Sequence, residues 1–274
     1  MKERETKEET TGMAVFNVIT YAAVFFAIQI ACVATAMAAM RLFAGHFPQS
    51  TKTGALIVAM AVSAVITYTV FILARWAQVS PRYLRSRPWA VFFWSGVAAL
   101  GAIIPSLFAE ELMPELPNLS ENTFEMVLGN RWGYFIIGLL VPATEELVFR
   151  GAVLRQLLQI VKNRWVAIAL SALIFSLAHA NPVQMPHAFV TGLLLGWMYC
   201  RTGSILPGVV YHWVNNSVAY LLYNLYPDPS ITIVHIFGGV RNTVMAVVFS
   251  MLILLPALYQ LYIRMVRPEA NVVN

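Results

Sequence analysis

Apolar residues run along this chain in long blocks separated by short polar or charged joints. The blocks fall at about Met13 to Leu42, Ala55 to Ala77, Trp89 to Ala109, Trp132 to Leu158, Trp165 to Ala180, His187 to Cys200, Ile205 to Tyr226 and Val244 to Ile263. Most have the length a helix needs to cross a bilayer, roughly 20 residues. The pattern therefore predicts an all-α fold, a polytopic transmembrane helical bundle of about eight spans. The first block is longer than a bilayer requires, which predicts a tilted or partly interfacial helix. Pro142 is expected to kink the fourth. Proline clusters punctuate the joints: Pro114 and Pro117, then Asn181-Pro182 with Pro186, then Pro227 and Pro229. The joint from there to Arg241 reads as partly re-entrant or interfacial. Trp89, Trp132, Trp165 and Tyr226 stand at block ends, where aromatic side chains anchor helices at the membrane surface. His46 and His235 fall in joints and read as solvated. The domain reading is one transmembrane unit over 13–264, with residues 1–12 and 265–274 as cytoplasmic tails.

Composition removes the soluble alternatives. Of the 274 residues, 59% are hydrophobic and 11% charged, against roughly 45–50% and 25% in soluble domains. The net charge of +5 does not mark a nucleic-acid partner, because the basic residues collect in alternate joints. Arg75, Arg82, Arg85 and Arg87 follow the second block; Arg155, Lys162 and Arg164 follow the fourth. Arg201 follows the sixth, and Arg264 and Arg267 the eighth. The joint after the third block is acidic, with Glu110, Glu111, Glu115, Glu121 and Glu125. Cytoplasmic joints carry the excess of Lys and Arg, so both termini are expected in the cytoplasm. The expected address is the plasma membrane of a prokaryote, in contact with lipid. The first twelve residues lack a cleavage site, so the first span itself is expected to act as the membrane signal. Cys32 and Cys200 lie in apolar blocks and suggest neither a disulfide framework nor a cysteine metal site. No internal repeat of the kind many transporters carry is visible.

The polar residues inside the spans are what need explaining. Glu145, Glu146 and Arg150 sit within six residues of the fourth block. A single charge at the bilayer centre costs roughly 2.5–3.5 kcal/mol on insertion scales. Glu146 and Arg150 are four apart with the acid first, the favourable order for a helical ion pair. Glu145 lies about 100° further round the helix and is left free to work. Three more polar sites interrupt later blocks: Phe175 with His179, then His187, then His212 with Asn216. Counted from the block ends, Glu145 and His212 fall near mid-depth and His179 nearer the outer end. His212 and Asn216 share a helix face by their spacing of four.

A carboxylate beside imidazoles suits general-base attack of water on an acyl carbon, with imidazole and amide N–H groups to stabilise an oxyanion. Alternatively, Glu145, His179 and His212 suit a divalent metal such as Zn2+, two His and a carboxylate leaving one position open. There is no HExxH sequence. His187 reads as a helix-start residue, and Asn216 also reads as interhelical hydrogen-bond glue.

In this order, Glu145-Glu146-x-x-x-Arg150, Phe175-x-x-x-His179 and His212-x-x-x-Asn216 resemble the motifs of the CPBP family, the CAAX proteases and bacteriocin-processing relatives also called Abi or Rce1-like. The resemblance covers about Trp132 to Tyr226, residues 132–226. It implies an eight-helix intramembrane endopeptidase, a glutamate or metallo-hydrolase, with a cavity opening towards the cytoplasm. It implies Glu145 as the water-activating base, His179 as a partner positioning that water, and His212 with Asn216 as the oxyanion site. Glu146, Arg150 and Phe175 would support them. The substrate it implies is a membrane-associated peptide or protein, prenylated or of bacteriocin type. The alternative from a different class is a proton-coupled transporter, or a non-catalytic scaffold, using the same polar cluster.

Overall fold

The computed structural model describes residues 2–43, 49–119, 121–228 and 231–265. His46, Pro229, Arg267 and the C-terminal tail from residue 266 lie outside the described residues. Helix α1 (Lys2–Phe43) runs back through the segment expected as an N-terminal tail, and α2 is Gln49–Leu73. A short α3 (Pro81–Arg85) precedes α4 (Trp89–Glu111), and α5 (Glu121–Leu128) follows the proline-bearing joint. The fourth apolar block is not one kinked α-helix. It is two π-helical stretches alternating with α-helix: π1 (Tyr134–Leu140), α6 (Val141–Glu145), π2 (Glu146–Leu154) and α7 (Arg155–Ile160). Then come α8 (Arg164–Ala178), α9 (Met185–Thr202), α10 (Leu206–Leu225), the short α11 (Ile233–Ile236) and α12 (Val240–Arg264). Among the described residues every element is helical, as the apolar pattern predicted.

The expected count of eight spans is not established. Among the described residues four helical stretches are long and apolar enough to cross a membrane: Thr11–Leu42, Thr51–Leu73, Trp89–Glu111 and Val240–Arg264. The blocks that fall short are those bearing the polar residues. The fourth is divided by its changes of helical register, α8 has 15 residues, and α9 and α10 carry His, Asn and Arg among their apolar positions. Long apolar helices form the outside and shorter, polar-bearing ones the inside. That division follows from lipid: interrupted backbone is tolerated at membrane depth only where protein or a cavity surrounds it. Accordingly π2 is buried along its whole length, whereas Phe249 and Leu252 of α12 are more than 60% exposed. The chain is an integral membrane protein.

Aromatic packing joins the outer and inner layers. Phe25 of α1 meets Phe149 of π2 edge-on at 5.4 Å between ring centres, and Phe149 meets Phe175 of α8 at 5.2 Å. On the other side α4, α9, α10 and α12 pack around Ala98, Leu195, Tyr211 and Ala257. Small residues bring these helices close, since a Cβ on Gly101 would come within 2.8 Å of the backbone at Leu254. Trp89, Trp132, Trp165 and Tyr226 are exposed near helix ends, in keeping with surface anchoring.

Candidate active site

The site begins with Pro142. Proline has no N–H to give, and in π register the carbonyl five residues earlier, Ile137, would draw its hydrogen bond from residue 142. The amide of Asn216 on α10 takes that place, Nδ2 donating to the Ile137 oxygen at 3.0 Å. Thr144 turns its hydroxyl back to the Leu140 carbonyl at 2.8 Å. Ser171 of α8 donates to the Phe149 carbonyl at 2.9 Å. Polar side chains thus serve backbone groups of the broken segment. Stretches of π-helix are rare and occur mostly at functional sites.

Where the chain passes from α6 into π2 stand Glu145 and Glu146. Glu146 is fully buried and Arg150 is 1% exposed. They form the ion pair their spacing predicted, Arg150 Nη1 donating to Glu146 Oε1 at 2.8 Å. Arg150 Nη2 adds a bond to the Gly192 carbonyl at 3.3 Å, and the guanidinium lies over the Phe175 ring at 4.3 Å. Among the described residues, the other Glu146 oxygen, Oε2, and Arg150 Nε have no hydrogen-bond partner. Oε2 instead faces the backbone of α10 at Gly208, where an added Cβ would come within 2.8 Å. Only glycine permits that approach.

Glu145 faces elsewhere. It lines a cavity of about 400 Å³ together with His179, His212 and Asn216, a size suited to a small ligand or a short stretch of peptide. Glu146 and Arg150 do not line it. A larger open groove of about 1230 Å³ runs along the C-terminal end of α2, but its lining holds no acid and no imidazole. The chemistry belongs to the smaller cavity.

His212 stands between the two acids. Its Nδ1 lies 3.3 Å from Glu146 Oε1 and its Nε2 3.6 Å from Glu145 Oε2. This link from one carboxylate to the other was not foreseen in the spacing, which separated Glu145 from the Glu146–Arg150 pair. His179 closes α8 with Nδ1 2.9 Å from the Phe175 carbonyl. A carbonyl only accepts, so Nδ1 carries the proton and a neutral ring keeps a lone pair on Nε2. Phe175 holds both imidazoles nearly perpendicular to its ring, His179 at 4.9 Å and His212 at 6.0 Å between centres. Asn215 also lines the cavity, its Nδ2 3.4 Å from Asn216 Oδ1.

Glu145, His179 and His212, the set expected to take a metal if one is used, are not arranged as a ligand cluster. Among the described residues no group of three or more His, Cys, Asp and Glu side chains is placed to hold an ion. His212 already directs both ring nitrogens at carboxylates.

The contacts of two residues escaped sequence reasoning. His187, which reads as a helix-start residue, pairs through Nδ1 with Glu110 of α4 at 3.1 Å, and its Nε2 lies 3.3 Å from Thr191 Oγ1. Thr191 four residues on was the available local signal; Glu110, two blocks away, offered none. Asn181, which reads as a turn residue, is fully buried. Its Oδ1 accepts from Leu119 N at 3.0 Å and its Nδ2 donates to Asn118 Oδ1 at 2.9 Å.

The fold and cavity define a class: helical integral membrane proteins with a buried carboxylate–imidazole site. Residues 128–218, which hold every candidate residue of the cavity centre, match the family described as Type II CAAX prenyl endopeptidase Rce1-like. Over this segment, about a third of the chain, the sequence is similar to that family. A curated relative is the membrane-embedded CAAX protease MroQ of Staphylococcus aureus (strain USA300), 29% identical over 99 residues. That match covers 34% of this chain and 40% of the relative, so the chain spans well under half the length of the curated protein it matches. No solved structure matches.

Proposed function

We propose that this chain is an intramembrane endopeptidase that hydrolyses a peptide bond in a membrane-associated substrate, with Glu145 as the base. One observation carries the reading: of two adjacent acids, Glu146 is sealed against Arg150 while Glu145 opens onto a cavity shared with His179, His212 and Asn216. The family likeness supports the same reaction class.

In this mechanism water sits against Glu145 and His179. The lone pair on His179 Nε2 accepts one water hydrogen and orients the oxygen. Glu145 takes the other proton as that oxygen attacks the peptide carbonyl carbon. Carboxylates only accept, so an Nδ1–H on His212 points at Glu146, and a proton on Nε2 serves Glu145 or the developing oxyanion. The amide of Asn216 has two N–H groups; Ile137 uses one and the second serves the oxyanion. The proton on Glu145 then passes to the amide nitrogen as the C–N bond breaks, leaving a carboxylic acid and an amine. Losing a positioned base typically costs about 10²–10⁴ in rate, and losing an oxyanion donor about 10²–10³.

The test uses the full chain in lipid nanodiscs, incubated with a library of internally quenched apolar peptides. Cleavage by the wild type that Glu145→Gln lacks supports the reading. Equal cleavage by both proteins removes Glu145 as the base. No cleavage by either, with the proton-driven uptake that Glu145→Gln abolishes appearing in proteoliposomes, favours a transporter.

A further inference from the structure

The two ends of the bundle differ in charge, and the cavity opens at only one of them. One end is assembled from the C-terminal ends of α2, α7, α9 and α12 and the start of α8. Contacts join its parts: Ser80 Oγ donates to the Gly203 carbonyl at 2.8 Å, and Arg201 Nη2 to the Tyr262 carbonyl at 2.6 Å. Tyr21 of α1 packs on Trp76 at 5.1 Å, which directs the N-terminal half of α1 to the same end. Arg75, Arg85 and Arg87 lie here, with Arg155, Lys162, Arg164, Arg201 and Arg264. From α2 to α12 no described acid accompanies them.

The opposite end is built from the end of α4, the 112–119 joint, α5, the end of α8, the start of α9, the end of α10 and α11. Glu110 to His187, Glu111 to the Ile233 N–H, Asn181 to the 118–119 backbone and side chain, and Tyr220 Oη to the Asn130 carbonyl bind its parts together. Glu110, Glu111, Glu115, Glu125 and Asp228 lie here, against Arg41, Lys52, Arg131 and Arg241.

The cavity runs from the buried site to this second end. At its deep end Phe175 is 1% exposed and His212 5%. At its rim the side chains of His187 and Glu110 are 29% and 37% exposed, and Val183 is 36% exposed. None of its lining residues comes from the basic end, and none is Lys or Arg.

Basic joints lie on the cytoplasmic side. We therefore infer that the cavity opens to the extracytoplasmic side, and that its substrates are peptides or protein segments reaching the membrane from that side. Lipid-modified proteins docked on the cytoplasmic face would meet the basic end, from which no residue lines the cavity. This reverses the cytoplasmic opening that the family resemblance implies. The inference takes its substrate chemistry from the endopeptidase reading, but its orientation stands on charge and cavity alone.

The experiment places single cysteines in the full chain in intact cells, on a background with Cys32→Ala and Cys200→Ala. Leu112→Cys and Val183→Cys mark the rim end, and Leu84→Cys marks the basic end; all three positions are exposed. A membrane-impermeant maleimide is expected to label the first two in intact cells, and Leu84→Cys only after permeabilisation. Labelling in the opposite sense overturns the inference, as does labelling of all three in intact cells. A second arm adds the impermeant reagent outside before assaying cleavage. Activity of Val183→Cys is expected to fall at least fivefold while Leu84→Cys keeps its own; an unblocked Val183→Cys counts against the cavity mouth. Absence of any cleavage bears on the endopeptidase reading and leaves the labelling result to decide orientation.

Discussion

Glu145 and Glu146 are neighbours in sequence and opposites in setting. Glu146 has no exposure, a 2.8 Å bond to Arg150 and the bare backbone of Gly208 against its second oxygen. Glu145 keeps 15% side-chain exposure and borders a cavity. A rotation of about 100° between successive helical residues separates the two settings, and the passage from α6 into π2 falls at this junction. Adjacent acids can thus do unlike work: one fixes helices to each other, the other is held ready beside open space. His212 touches both regions, so the fixed acid also orients the ring that faces the open one.

Breaking the sealed side is expected to have the largest effect on folding. Arg150→Ala leaves a buried carboxylate without its cation, a change that typically costs about 3–5 kcal/mol. The expected result is loss of folded protein in detergent extracts, read by yield and thermal unfolding. Replacing both partners, with Glu146→Gln and Arg150→Met together, is expected to recover part of that loss. Gly208→Ala presses a methyl group onto Glu146 Oε2 and should destabilise by about 1–3 kcal/mol, measured by the same unfolding curves.

The junction between the regions gives a subtler test. Asn216→Ala removes the donor to the Ile137 carbonyl, and leaving a buried acceptor unmet costs about 1–3 kcal/mol. In a Pro142→Ala background residue 142 regains an N–H, so the cost of Asn216→Ala should shrink. Unfolding free energies of the two single variants and the double variant measure that coupling; additive costs would remove the link between Pro142 and Asn216. The smallest expected effect is at the rim. His187→Gln loses a partly exposed pair with Glu110, worth about 0.2–1 kcal/mol at most sites of this kind, so thermal stability should change little.

Much of this was legible in the sequence because it depends on local spacing. Residues four apart meet on a helix, which gave Glu146 with Arg150; apolar block lengths gave α4 its start at Trp89 and α10 nearly its full extent. Glu145, His179, His212 and Asn216, which the ordered motifs singled out, all line one cavity. What was hidden depends on register and on distant pairs. A uniformly apolar segment does not disclose whether its helix winds with 3.6 residues per turn or more, so π1 and π2 left no trace in the pattern. The count of eight spans rested on equating apolar blocks with crossings, and the inner, polar-bearing helices do not satisfy that equation by length and composition. Glu110 with His187 and Asn181 with Asn118 join residues more than sixty positions apart, and no spacing rule reaches that far.

The most direct test of the central claim compares wild-type protein with Glu145→Gln at matched abundance in the cells that carry it. Peptide and protein termini are sequenced in both, and the thermal unfolding of the two proteins is measured in parallel. The account predicts equal unfolding temperatures and a small set of termini present only with the wild type. Those same termini persisting at full level with a folded Glu145→Gln protein would contradict it.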